Sequence, residues 1–185
     1  MGGLNRFYYP VKYESRAQVL SLGIKCVFIS YQKDDKDDAI KVADYLMSIG
    51  IDVYIDRYDA ELKIHHQNNN PKAVTESICK GINNSSHMLT IVSQSTLYST
   101  WVPFEIGYGY DKTELCVLCL KDIPKGKLPE YVRTSKIIRD IYDLNFLIKK
   151  ITGQDTAILE KANYLNKTIY TSLSPVMDIM TNDLY

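Results

Sequence analysis

The sequence predicts an α/β fold, a doubly wound parallel sheet with helices on both faces, and three observations carry that prediction. Four short, continuous apolar runs rich in β-branched residues stand at 25–31 (KCVFISY), 51–55 (IDVYI), 87–92 (HMLTIV) and 115–120 (LCVLCL). Runs of that kind belong to strands covered on both sides. Segments of helical period separate them, and strands that alternate with helices run parallel. At 185 residues the chain has length for one well-buried domain with an appendage.

Each element has its own local cause. Residues 1–23 read as an N-terminal extension with a short helix at 15–22. After the first strand, QKDDKDD crowds aspartates where a helix dipole favours them, and Ala39, Ile40, Ala43, Leu46 and Met47 recur at helical spacing until Gly50 stops the pattern. The second strand ends in Asp56-Arg57, and a long polar stretch with His65, His66 and three asparagines leads to Pro71. Asn70 before Pro71 is a cap followed by proline at the first helical position. The helix that follows turns Val74, Ile78, Cys79 and Ile82 inward and ends at Asn83-Asn84. The third strand leads to a helix at 101–110, and the fourth to a turn-rich loop at 122–131. Residues 136–139 form a short fifth strand at an edge, and 145–151 belong to a helix ending at Gly153. Ile158, Leu159, Ala162, Leu165, Ile169 and Leu173 make the stripe of one further helix, packed on the domain's flank or serving as a dimerisation or partner surface. The division is therefore an extension at 1–23, a domain at 24–153 and a C-terminal helical extension at 154–185.

Composition removes several classes of function. Lysine plus arginine equal aspartate plus glutamate at 22 each, so no net field recruits nucleic acid or anionic lipid. No apolar run approaches about 18 residues, and no basic segment precedes an apolar one at the start, so the expectation is a cytoplasmic protein without a membrane span. Arg6 stands where a myristoylation motif needs serine or threonine. Four cysteines in such a chain argue against a disulfide framework. Cys116 and Cys119, three apart in a strand, point to opposite faces as core residues, and adjacent His65 and His66 lack a third ligand, so no metal site is expected.

Ligands of such sheets bind outside the carboxyl ends of the strands. Residues 30–38, 56–70 and 93–101 leave the sheet at that edge and can converge on one pocket. The third runs into SQSTLYSTWVPFEIGYG, where Trp101 precedes Glu105 by four and shares its helix face. A carboxylate beside a flat apolar wall can have its pKa raised and can hold a sugar ring. The same spacing also serves a helix that anchors its tryptophan in the core.

The order of these pieces resembles the Toll/interleukin-receptor (TIR) domain family, whose fold is flavodoxin-like, over residues 25–153. KCVFISY resembles the family's first-strand motif, QKDDKDD its acidic loop, IDVYIDR its second strand, and Ser93 and Ser99 the serines that lead to its tryptophan. WVPFE is similar to the WxxxE element, whose glutamate is catalytic in the NAD-cleaving members. The loop after the second strand lacks the usual Arg-Asp-x-x-Pro-Gly segment, and no Phe-Trp pair of the animal adaptors stands near the C-terminus. A small TIR protein of this form most resembles the bacterial TIR proteins of the Thoeris anti-phage system.

The resemblance implies Glu105 as the catalytic residue and NAD as substrate, with no cofactor and no metal. The implied product is a cyclic ADP-ribose isomer, a diffusible signal to a separate effector protein. Phe28, Ser30, Tyr31, Asp56, Ser99 and Trp101 become candidate substrate contacts. Phe28 and Tyr31 serve equally as core side chains, Ser30 as a turn hydroxyl, Asp34 and Asp56 as solvated ends, and Ser93 and Ser99 as helix caps. Two other functions fit the same features: a non-catalytic module that assembles TIR with TIR, as a homo-oligomer, and a nucleoside 2-deoxyribosyltransferase-like enzyme.

Overall fold

The computed structural model describes residues 2–11, 13, 16–56, 70–121, 123–124, 126–153 and 176–180. Their strands form one all-parallel sheet, the flavodoxin-like arrangement expected. A short α1 (Arg16–Ser21) precedes β1 (Cys26–Ser30), α2 (Lys36–Ser48) and β2 (Asp52–Tyr54). Next come α3 (Pro71–Asn83), β3 (His87–Val92), α4 (Trp101–Gly109) and β4 (Glu114–Cys119). Then α5 (Glu130–Arg133), β5 (Lys136–Ile138) and α6 (Ile141–Thr152) complete the described elements. The strand order is β2-β1-β3-β4-β5, which places β3 at the centre with β1 and β4 on either side.

Local signals set the boundaries. The Asn70 side chain accepts from the Ala73 amide at 3.1 Å, with Pro71 as the first helical residue. Gly50 and Gly153 take φ of 87° and 65° just past α2 and α6. Helix α6 begins at Ile141, four residues before the expected start, because Asp140 caps it by accepting from the Asp143 amide at 2.8 Å. The turn-rich loop also contains the single turn of α5, and Cys79 is half-buried rather than fully inward.

Although the strands are apolar throughout, their side chains sort by alternation into two cores. Val27, Ile29, Leu89, Ile91, Cys116 and Leu118 meet α2 and α6 on one face, whereas Phe28, Met88, Val117 and Cys119 meet α3 and α4 on the other. Cys116 and Cys119 thus lie on opposite faces, and burial pushes both thiols up, Cys116 to about 11.

The first residues do more than extend the chain. Asn5 forms a parallel bridge to Val53, while the Gly3 amide bonds Met47 O at 2.7 Å and the Arg6 amide bonds Val53 O at 2.7 Å, so this segment covers the outer edge of β2. Asn5 is buried; its Nδ2 donates to Ile55 O at 2.8 Å and its Oδ1 accepts from the Ile55 amide at 3.3 Å. Asn5→Ala strands both backbone groups, and the expected loss is about 2 kcal/mol of stability, read as a lower urea midpoint. At the other end Val176, Ile179 and Met180 are buried against the α2 and α6 core, and Met180 bridges Leu120. The helix expected at 157–173 lies outside the described residues, as do His65 and His66. Among the described residues no helix is long and apolar enough to cross a membrane.

Candidate active site at the carboxyl edge of the sheet

The last residue of β1 is the polar exception on its face. Alternation puts Ser30 on the same side as Cys26 and Phe28, in the core that α3 and α4 cover, and it is 1% exposed. A hydroxyl so placed needs a partner. It finds one in α4: Ser30 Oγ donates to Glu105 Oε2. Glu105 is itself only 8% exposed. Burial pushes its carboxyl up to about 7, against the Ser30 hydroxyl, which favours the ionised form. A carboxyl so tuned changes charge near neutral pH, where it can hold a positive centre or take up a proton.

Helix α4 presents this carboxyl because its start is fixed. Ser99 Oγ accepts from the Val102 amide at 3.2 Å, and Pro103 sits in the first turn, where its missing N–H is no loss. Trp101, one turn before Glu105, is half-buried against the α3 and α4 core and meets Phe104 edge to face at 6.1 Å. Phe104 stacks in turn on Tyr108. Leu97 and Tyr98, just before the helix, are 44% and 86% exposed.

The expected site residues separate into groups. Ser30 and Glu105 are bonded, with Trp101 on the same helix face as Glu105. Phe28 lies two residues deeper in the core, stacked on Tyr54 at 5.9 Å. Tyr31 packs against the opposite core and its hydroxyl donates to Asp56 O at 2.9 Å, joining the ends of β1 and β2. Ser99 caps α4. Asp34 is exposed, and the 57–69 part of the second loop lies outside the described residues.

Asp35 is the residue that sequence reasoning missed. It is buried, and its Oδ2 accepts from Ser93 Oγ at 2.6 Å, Ser95 Oγ at 3.1 Å and Thr96 Oγ1 at 3.3 Å. Ser93 Oγ also accepts from the Ser95 amide at 3.1 Å and the Thr96 amide at 3.4 Å, so it caps the 3-10 turn Ser95–Tyr98 and at the same time ties the loop after β3 to the loop after β1. The only sequence signal was three hydroxyls within SQST facing a run of aspartates. Asp35→Ala is expected to cost about 2 kcal/mol, seen as a lowered urea midpoint, because three hydroxyls lose one charged acceptor. Among the described residues no cluster of three His, Cys, Asp or Glu side chains could hold a metal ion.

Residues 27–147 match the sequence model of the TIR domain. Over 141 residues the chain is 26% identical to a probable 2' cyclic ADP-D-ribose synthase, TcpO, of Methanobrevibacter olleyae. That similarity covers 74% of this chain and 38% of the relative, so the chain spans well under half the relative's length.

Proposed function

The chain belongs to the TIR domain family, and from that premise we propose that it cleaves NAD at the bond between nicotinamide and ribose, with Glu105 as the catalytic carboxylate. The observation that carries this reading is the buried Glu105 at the carboxyl edge of the sheet, held by Ser30 and raised to about 7. Nicotinamide is a cationic leaving group that departs neutral with the bonding electrons, so no acid is needed to expel it. The ribose becomes oxocarbenium-like, and ionised Glu105 stabilises that charge. A hydroxyl of the same molecule then attacks the ribose carbon and gives its proton to a base, closing a ring; water in its place gives linear ADP-ribose. The relative's name supports a 2' cyclic ADP-ribose product. Such a product would act as a second messenger to a separate effector, in anti-phage defence of the Thoeris kind. Ser30 and Trp101 are the proposed substrate contacts beside Glu105, while Phe28, Tyr31, Asp56 and Ser99 shape the walls.

Mass spectrometry of the purified protein with NAD tests the reading. The expected product has the mass of NAD less nicotinamide and is missing with Glu105→Gln. The same product from a folded Gln variant overturns the assignment, and base exchange between offered deoxynucleosides, with NAD untouched, would replace it with a deoxyribosyltransferase. The exposed Leu97, Tyr98 and Phe104 favour one further reading, a TIR module that self-assembles. Signalling that survives loss of the carboxylate distinguishes it.

A further inference from the structure

The face of the sheet that carries Ser30 holds a second buried hydroxyl with no acceptor. Thr90 is fully buried, and its Oγ1 has no hydrogen-bond partner among the described residues. Buried hydroxyls are almost always paired, so an orphan calls for a cause.

Its position supplies one. β1 and β3 pair in parallel with Ser30 directly opposite Thr90. Neighbouring strands lie about 4.8 Å apart, so side chains on one face at paired positions stand close enough for two hydroxyls to bond. The depth of α4 agrees. Gly109 lies against Met88, so closely that a Cβ there would be 2.6 Å from the Met88 sulfur. Glu105 is one helical turn before Gly109, and Thr90 is two strand residues beyond Met88. A turn rises about 5.4 Å and two strand residues about 6.6 Å, so Thr90 stands level with Glu105 as Ser30 does.

We propose that Thr90 is a positioning residue for Glu105: its hydroxyl turns onto Ser30 Oγ and completes a relay from Thr90 through Ser30 to the Glu105 carboxylate. Ser30 Oγ donates its one proton to Glu105 and keeps lone pairs to accept the Thr90 proton. The needed motion is a rotation about one side-chain bond, and threonine takes more than one such rotamer. A donor behind Ser30 strengthens the bond in front of it, most when Glu105 is ionised. Among the described residues no charged side chain other than Glu105 is bonded to Ser30 or Thr90. Of the titratable groups on this face, Tyr54 is stacked on Phe28 and the Cys26 and Cys119 thiols are raised by burial; Glu76 and Lys80 of α3 are exposed, and Asp35 is engaged by Ser93, Ser95 and Thr96.

The inference rests on Glu105 being the acting carboxylate, and its test needs no turnover of NAD, so either can fail alone. The Glu105 carboxyl is followed by carbon-13 NMR through a pH titration of glutamate-labelled protein, its signal assigned by its loss in Glu105→Gln. Thr90→Val, which keeps shape and removes the hydroxyl, is expected to raise the midpoint by about half a unit, and Thr90→Ser to restore it. In a Ser30→Ala background Thr90→Val is expected to move nothing. An unmoved midpoint in Thr90→Val, with or without a gain in melting temperature, overturns the relay, as does an equal shift with and without the Ser30 hydroxyl.

Discussion

Glu105→Gln is expected to give a protein that is more stable than the wild type at pH 8 and forms product from NAD at least ~10³-fold more slowly. The two effects share one cause. Burial raises the Glu105 carboxyl from 4.5 to about 7, so the folded state holds a proton that the unfolded chain releases more readily. The favourable contribution of that neutral carboxyl is complete below pH 4.5, erodes through the interval up to 7 and is gone above it. A shift of that size corresponds to about 3 kcal/mol. Glutamine stays neutral at every pH, so its advantage is near zero at pH 4 and reaches about 3 kcal/mol at pH 8. Urea midpoints at pH 4, 6 and 8 check this, and a difference independent of pH would remove the buried charge as its origin. In the wild type, the rate of NAD cleavage rises with pH through about 7 if the ionised carboxylate is the acting form.

Gly81→Ala is expected to cost about 2–3 kcal/mol and most of the activity, although alanine is the better helix former by about 1 kcal/mol. A Cβ on Gly81 would lie 2.5 Å from Tyr54 Cε1 and 2.7 Å from Phe28 Cε2. Neither ring has room to retreat: both are buried, they stack on each other, and Phe7 closes edge-on over Tyr54 at 5.6 Å. Helix α3 must lift or β1 must shift. Phe28 is two residues before Ser30, so the second course displaces the hydroxyl that holds Glu105. Urea denaturation and NAD turnover measured together check the prediction; an unchanged midpoint would mean that α3 moves outward freely.

What could be read from the sequence was whatever depends on near neighbours. Alternation placed Cys116 and Cys119 on opposite faces, the Asn70-Pro71 pair placed the start of α3, and Gly50 and Gly153 placed two helix ends. Glu105 stood out because Trp101 precedes it by one turn. Its bond to Ser30 was beyond reach, because 75 residues separate the two and only the docking of α4 on β1 brings them together. Asp35 was illegible for the same reason: among neighbouring aspartates nothing local marks it, and its acceptor role comes from hydroxyls 58 to 61 positions later. The N-terminal bridge at Asn5 has no strand pattern of its own, since the β2 edge supplies its partners. Phe28 and Tyr31 stand three apart, as Cys116 and Cys119 do, and the same alternation sends them into two different cores.

That covered β2 edge also bears on how the protein is handled at the bench. A chain trimmed to begin at β1 would keep every candidate site residue yet expose a raw row of backbone groups, open to pairing with the same row on a neighbouring molecule. Its precipitation would then be mistaken for loss of catalysis, so activities are comparable only between proteins that retain their first seven residues.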